Sequence, residues 1–382
     1  MRVPRIRVDD FNNNFEKKTF GEIVRSISTR MYIKSVVSDL GEYEVIQQGD
    51  TPILGYSNDQ PFEKYKSVIL FGDHTLSLYR PKAPFLLATD GIKILQSTIL
   101  KRDYLYYLTQ NYIPKSQGYK RHYSVLKQVF VNYSRDSSEQ SAIGSFFRTL
   151  DNLLTSYKDN LTNYQSLKAT MLSKMFPKAG QTVPEIRLDG FEGEWEKSKL
   201  KDVAHRVQGN DGRMDLPTLT ISASGGWMNQ IDRFSANIAG KEQKNYTLLK
   251  KGELSYNHGN SKLAKYGVVF ELQDYEEALV PKVYHSFRVN QLADAKFIEI
   301  MFSTKIPDRE LGKLVSSGAR MDGLLNISFD DFMNITIIIP TLEEQQAVGA
   351  YFSNLDNLIN SYQEKITQLE TLKKKLLQDM FI

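Results

Sequence analysis

The sequence predicts an α+β protein: two mixed α/β globular segments in a pseudo-two-fold arrangement, separated by two long helices packed as an antiparallel coiled coil. Three observations predict it. The chain repeats itself at the start and at the end of each half. The repeated ends carry a heptad pattern without an internal proline. The stretches between are rich in short β-like runs. At 382 residues the chain is too long for one ordinary core and fits two domains or more.

The first repeat aligns Val3-Pro4-Arg5-Ile6-Arg7-Val8-Asp9-Asp10-Phe11 with Val183-Pro184-Glu185-Ile186-Arg187-Leu188-Asp189-Gly190-Phe191 and continues through Phe15-Glu16-Lys17 and Trp195-Glu196-Lys197. Over 3–24 against 183–204, 8 of 22 positions are identical at an offset of 180. The second aligns 139–176 with 344–381 without a gap, with 17 of 38 identities at an offset of 205. Leu150-Asp151-Asn152-Leu153 matches Leu355-Asp356-Asn357-Leu358, and Met175-Phe176 matches Met380-Phe381. The difference of offsets makes the second globular segment 25 residues longer. Its middle shows no sequence relation to the first. A repeated frame with unlike middles suggests two different readers on one scaffold.

The first helical segment places Ile143, Phe147, Leu150, Leu154, Tyr157, Leu161, Tyr164, Met171 and Met175 on a seam of alternating four and three. Val348, Phe352, Leu355, Ile359, Tyr362, Ile366, Leu369, Leu376 and Met380 repeat it. Each helix runs about 39 residues, ~58 Å at ~1.5 Å per residue, and cannot hide its seam alone, so the two are expected to pack on each other. Ser137-Ser138-Glu139 offers an N-cap for the first. Thr341, three before Glu344, has the spacing of a capping box for the second. Gly144 and Gly349 cost each helix a little. Lys168 and Lys373 hold the same seam position. A lysine there either sets register or, more commonly, snorkels at the seam edge.

The boundaries that follow are 1–137 for the first globular segment, 138–177 for the central helix, 178–341 for the second segment (178–183 being a linker) and 342–382 for the distal helix. In the first segment Glu42–Gln47, Ser67–Phe71, Thr75–Tyr79 and Phe85–Ala88 read as strands and Tyr104–Gln110 as a short helix. In the second, Thr218–Ser222, Leu254–Tyr256, Tyr266–Phe270 and Ile335–Ile339 read as strands, with a helix near Ala295–Thr304. A twisted sheet or partial barrel with helices on one side is expected in each.

The net charge is +4 with pI near 8.8. The central helix carries +1 and the distal helix −2, which leaves +5 with the globular segments. A DNA contact needs its positive charge there. The loops supply groups that pair with bases or hold phosphates. The first segment offers His74 and Thr75, then Lys115, Gln117, Tyr119, Lys120 and Arg121. The second offers Trp227, Asn229 and Gln230, then Asn257, His258, Asn260, Ser261 and Lys262, then Ser317 and Arg320. Taken singly, such a cluster is more often an ordinary solvated turn. Asp73-His74 also suggests acid–base chemistry, but no nucleophile partner is recognisable beside it.

Several classes are excluded or disfavoured. There are no cysteines, hence no disulfides, Cys-ligated zinc, iron–sulfur clusters or cysteine nucleophiles. The five histidines form no HExxH and no close pair in sequence, so no metal site is expected. Mean hydropathy is −0.40 and no uncharged apolar run approaches the ~18 residues of a span. The N-terminal residues lack a signal-peptide stretch, and a cytoplasmic protein is expected. No P-loop, glycine-rich cofactor loop, amino-methyltransferase tetrapeptide or nuclease signature is present. No catalytic residue is expected.

The paired Val-Pro-x-Ile-Arg segments, the Glu-Gln-x-Ala-(Ile/Val)-Gly…Leu-Asp-Asn-Leu helices and the Ile337-Ile338-Ile339-Pro340-Thr341-Leu342-Glu343-Glu344-Gln345-Gln346 stretch resemble the specificity (S) subunit of type I restriction–modification systems. The resemblance covers essentially the whole chain. The first copy departs from it at Val131-Asn132-Tyr133-Ser134-Arg135, which lacks the proline before the helix. The resemblance implies two target recognition domains, each reading one half of an asymmetric, bipartite double-stranded DNA site in the major groove. It implies that the coiled coil sets the gap and docks two methyltransferase (M) subunits. It places S-adenosylmethionine in those subunits, and ATP and Mg in restriction (R) subunits, with no cofactor on this chain, and it implies a prokaryotic cytoplasm. Two other readings stay open: a non-catalytic coiled-coil scaffold that binds proteins rather than DNA, and a self-contained restriction enzyme, for which no motif is found.

Overall fold

The computed structural model describes residues 4–7, 11–34, 36–118, 120–234, 240–259, 261–315 and 324–381. The chain divides into two compact units, Met1–Asn160 with Tyr362–Ile382, and Leu161–Ser361. The long helices are therefore shared between the units. Each unit takes the first part of one and the last part of the other.

The first unit contains β1 (Glu16–Thr19), α1 (Phe20–Ile23), β2 (Arg25–Ile27), β3 (Tyr43–Ile46), β4 (Ile53–Ser57), β5 (Val68–Gly72), β6 (Leu78–Tyr79), β7 (Phe85–Leu87), β8 (Ile92–Gln96), α2 (Arg102–Tyr112), α3 (Tyr123–Leu126), β9 (Phe130–Tyr133) and the start of α4 (Ser137–Lys174). The second holds the rest of α4, then β10 (Glu196–Lys199), α5 (Leu200–Val203), β11 (Ala204–Arg206), β12 (Leu219–Ser222), β13 (Gly226–Asn229), α6 (Gln230–Phe234), β14 (Thr247–Lys250), β15 (Leu254–Asn257), β16 (Val268–Glu271), β17 (Glu277–Val280), β18 (His285–Val289), α7 (Ala295–Ser303), α8 (Asp308–Leu314), α9 (Phe329–Met333) and β19 (Thr336–Ile339). α10 (Leu342–Met380) begins in the second unit and ends in the first.

The repeated ends build the same frame twice. β1 pairs antiparallel with β9, and β10 with β19. The arginine of each repeated N-terminal segment reaches a carboxylate in the first turn of a long helix: Arg7 meets buried Glu139, and Arg187 meets buried Glu344, each through two nitrogens. A buried carboxylate requires such pairing, and the bidentate fork supplies it. The next helix residue repeats the logic. Gln140 accepts the Lys101 N–H and donates to the carbonyls of Ile99 and Ser134; Gln345 accepts the Asp294 N–H and donates to Leu292 and Pro340. Each core is closed by the end of the other helix. Phe381 packs on Tyr104 and Phe147, and Phe176 on Trp195, Phe297 and Phe352.

The seam forms as the heptads predict. In the first unit Phe147, Leu150, Leu154 and Ile366 are buried, and Tyr157 meets Tyr362 at 5.4 Å between ring centroids. In the second, Phe352 and Leu355 are buried and Leu161 and Ile359 are half-buried. The helix segments run antiparallel. The seam lysines do not snorkel: Lys373 Nζ lies 2.5 Å from Asp151 Oδ1 and Lys168 Nζ 2.5 Å from Asp356 Oδ1. Each lysine thus takes the aspartate of a Leu-Asp-Asn-Leu motif.

Two helix starts differ from expectation. Asp136, not the serines, caps α4, its Oδ1 accepting the N–H groups of Ser138 and Glu139 at 2.7 and 3.1 Å. A carboxylate one residue earlier is the better acceptor for those orphan donors. Thr341 accepts the Glu344 N–H at 3.4 Å, but the Glu344 carboxylate is spent on Arg187 and closes no capping box.

The unlike middles share one sheet. The strand order β2-β8-β5-β6 in the first unit is matched by β11-β18-β15-β16 in the second, antiparallel throughout. Smaller sheets flank it, β4-β3-β7 in one unit and the pairs β12-β13 and β14-β17 in the other, so the strands form several small sheets instead of one partial barrel. The expected strand at Thr75–Tyr79 is confined to Leu78–Tyr79, because a tight turn holding Leu76 at φ 61 occupies the residues before it. No described helix is long and apolar enough to cross a membrane.

Candidate nucleic-acid interface

At the end of the first unit's sheet where β5 stops, three loops converge. Buried Asp73 follows β5 and straps them together. Its N–H donates to the Gly91 carbonyl, its own carbonyl accepts from the His122 N–H and ring Nδ1, and its carboxylate accepts the Tyr123 N–H at 2.7 Å. Lys93 Nζ lies 3.7 Å from the other carboxylate oxygen. His122 is fully buried and accepts the Gln117 N–H on Nε2, so the tautomer protonated on Nδ1 satisfies both contacts. Asp73 and His122 are therefore anchors, and the acid–base reading of Asp73-His74 gives way to a structural one.

The straps present an exposed loop with Lys115, Gln117, Lys120 and Arg121 beside the turn of His74 and exposed Thr75. Arg121 Nη2 lies 3.7 Å from Asp90 Oδ2, both side chains mostly exposed. Gln48 accepts the His74 N–H at 3.2 Å. Sequence reasoning missed Gln48 and Lys93 as members of this cluster. The only signal for either was its neighbouring Gly-Asp or Asp-Gly turn.

The second unit converges the same three loops with different chemistry. Tyr256 faces His285 across its sheet as Phe71 faces Lys93 in the first unit, which sets His258 at the position of Asp73. The His258 ring nitrogens face the carbonyls of Leu325 and Val283 at 2.8 and 2.9 Å, and its carbonyl accepts the Leu325 N–H. His258 stacks on His285 at 4.7 Å between centroids. The fold thus makes the close histidine pair that the sequence did not show. His285 Nε2 meets the Ile327 carbonyl at 2.9 Å, and burial pushes its pKa down to about 4. Among the described residues no three His, Asp or Glu side chains gather as a metal site.

His258 is buried and fully engaged, so it braces the loops and does not face a groove. Gln230 is also buried, at 1% exposure, with its N–H on the Thr218 carbonyl, and it too is withdrawn from the base-reading set. Trp227 is half-buried and donates Nε1–H to the Glu271 carbonyl, and Asn229 accepts the Ile231 N–H. Asn257 donates to the Ile221 carbonyl at 3.3 Å and ties the β12–β13 hairpin to the cluster. Ser261 and Lys262 are exposed there. Tyr119, Asn260, Ser317 and Arg320 lie outside the described residues.

Among the described residues both clusters carry exposed cationic side chains and amides, hold no assembled nucleophile, and sit at one end of a sheet. That arrangement suits recognition of a polyanion with edge-specific hydrogen bonds. Comparison with known proteins agrees. Residues 192–371 match the family described as type I restriction modification DNA specificity domain. The type I restriction enzyme MjaVIII specificity subunit of Methanocaldococcus jannaschii is 22% identical over 313 residues, covering 76% of this chain and 72% of that protein. The crystal structure of the S subunit of a type I restriction–modification system from M. genitalium aligns over 100% of this chain and 99% of its own, with a TM-score of 0.62 at 14% identity, which establishes a shared fold.

Proposed function

We propose that the chain is a specificity subunit of a type I restriction–modification system, as its match to the type I restriction modification DNA specificity domain over residues 192–371 supports, and that each of its two loop clusters reads one half of an asymmetric, bipartite DNA site. One observation carries this reading. A single frame presents two chemically different loop clusters at the same end of the same four-stranded sheet. Identical clusters would read a palindrome; unlike clusters read unlike half-sites. In the first unit Gln117, Lys120, Arg121, His74 and Thr75 are the candidates for base and phosphate contact. In the second they are Asn257, Ser261 and Lys262, with Asn260, Ser317 and Arg320 proposed on sequence grounds.

The chain supplies recognition and not chemistry. S-adenosylmethionine belongs to two methyltransferase subunits that dock on the helix pair, and ATP and Mg to restriction subunits. The helix pair fixes the gap between half-sites, and its lysine–aspartate pins hold it in register.

The test is a map of methylated adenines in the host genome with and without this gene. Loss of one split motif on deletion supports the reading and supplies both half-sites. An unchanged map, together with a purified complex that selects no sequence from a random duplex library, would favour the protein-binding scaffold.

A further inference from the structure

A fourth loop stands with the three reading loops of the first unit and supplies none of the contacts proposed above. It is the turn from β3 to β4, residues 47–52. The Gln47 N–H donates to the Pro52 carbonyl, and the Gln47 amide donates to the Thr51 carbonyl at 2.9 Å, which closes the turn on itself. Gly49, at φ 109, supplies a backbone conformation that other residues rarely adopt. Its N–H donates to Ser77 Oγ at 3.0 Å, and Ser77 Oγ meets Thr75 Oγ1 at 2.8 Å. The turn is thereby tied to the loop that carries His74 and Thr75.

Gln48 is the side chain this turn places among the readers. Its Oε1 accepts the His74 N–H at 3.2 Å. Only the amide oxygen can meet a backbone N–H, so the contact fixes which way round the amide lies. The side chain is half-buried, and among the described residues its Nε2 donates to no partner. Two glycines leave the space it fills. A β-carbon on Gly72 would sit 2.9 Å from Gln48 Cβ, besides meeting Ser77 and Thr75. A β-carbon on Gly91 would sit 2.6 Å from Gln48 Nε2, with His74 Cδ2 no nearer than 3.4 Å. The amide is thus held at its oxygen and along its flanks, and two N–H donors are what it has left to offer.

We propose that Gln48 is a specificity-determining residue of the first reader, and that it reads a base edge made of acceptors, guanine foremost. The proposal deepens the half-site reading above and rests on it. In the major groove guanine presents N7 and O6 side by side, whereas cytosine presents the N4 donor and adenine sets its N6 donor beside N7. An unconstrained glutamine pairs with adenine by giving one hydrogen bond and accepting another. A glutamine whose oxygen is spent on His74 can only give, so guanine matches it and the amino groups of adenine and cytosine oppose it. Phosphates are better served by the exposed Lys115, Lys120 and Arg121 of the neighbouring loop, which leaves the neutral amide to a base.

The test selects duplexes from a randomised library with the complex of the full chain and the host's adenine methyltransferase subunits, and compares the unaltered chain with Gln48→Glu, Gln48→Ala and Gly91→Ala. Glutamate keeps an acceptor for the His74 N–H and turns the outward donors into an acceptor. Preference at one base pair of one half-site is expected to move from guanine to cytosine by about tenfold, with the other half-site unchanged. Alanine at position 48 is expected to relax that base pair alone. Gly91→Ala keeps Gln48 but displaces its amide, and is expected to blur the same base pair, which keeps the test open should a position-48 variant fold poorly. The same motif from all three variants overturns the proposal. So does a weakening shared by every position of the motif, which would make Gln48 a structural strut. An unaltered complex that selects no split motif would instead overturn the half-site reading itself, and this proposal with it.

Discussion

Lys373 Nζ lies 2.5 Å from Asp151 Oδ1, and the same carboxylate accepts the Tyr107 hydroxyl at 2.6 Å and faces Arg80 Nη2 at 3.1 Å. One aspartate of the repeated motif therefore ties the distal helix, the central helix and α2 of the first unit. Its counterpart Asp356 takes Lys168 in the second unit. A pin made by the same two repeat positions in both units fixes the stagger of the helices wherever each pair meets.

Replacing Asp151 with Ala strands Lys373, Arg80 and the Tyr107 hydroxyl together. A loss of about 2–3 kcal/mol is expected, read by urea unfolding. Asp356→Ala is expected to cost less, because Lys168 and Asp356 are more exposed, at 31% and 36%. Equal losses would count against burial as the source of the difference.

Glu344 is buried and accepts two bonds from Arg187 and one from Trp195 Nε1 at 3.3 Å. Glu344→Gln keeps the shape and removes the charge, leaving Arg187 uncompensated. Denaturant titration is expected to show a loss of about 3 kcal/mol, matched by Glu139→Gln in the first unit.

Gly144 lies against α2. A β-carbon there would sit 3.0 Å from Asp103 Cβ and 3.1 Å from the Tyr104 nitrogen. The sequence suggested only a small helix penalty at this position. The structure makes it a contact point, so Gly144→Ala is expected to destabilise by about 1–2 kcal/mol despite alanine's higher helix propensity. A stabilised variant would show that the helices separate freely here.

His285 makes stability pH-dependent. Its pKa is about 4 in the folded chain against an ordinary value of 6.5, so unfolding takes up a proton between those limits. The contribution is complete above about pH 6.5 and is lost as the pH falls toward about 4, in all roughly 3 kcal/mol. His285→Phe is expected to flatten the thermal midpoint over that window. A slope unchanged by the substitution would assign it elsewhere.

The frame was legible because its signals are local or repeated: a heptad seam, a helix start, two copies of one motif. The loop clusters show in the sequence as polar, glycine-marked stretches, and the fold joins Asp73 to His122 and His258 to Leu325. What stayed hidden depends on distant partners. His258 and Gln230 look like readers until burial assigns them to bracing. Glu344 has capping-box spacing, but its partner Arg187 is 157 positions away. The common four-stranded sheet is invisible because strand pairing constrains alternation and burial more than residue identity.

The ruler role of the helices has its own test. Four residues inserted after Tyr157 lengthen α4 by about 6 Å and displace its later seam positions from α10. The gap in the methylated motif is expected to change, or assembly to fail. An unaltered gap in an assembled complex would contradict a ruler role.

The most direct test exchanges residues 3–137 for the first recognition segment of another family member and maps adenine methylation in the same host. One half of the split motif should change while the other half is retained. A change in both halves, or in neither, would contradict two independent readers on one frame.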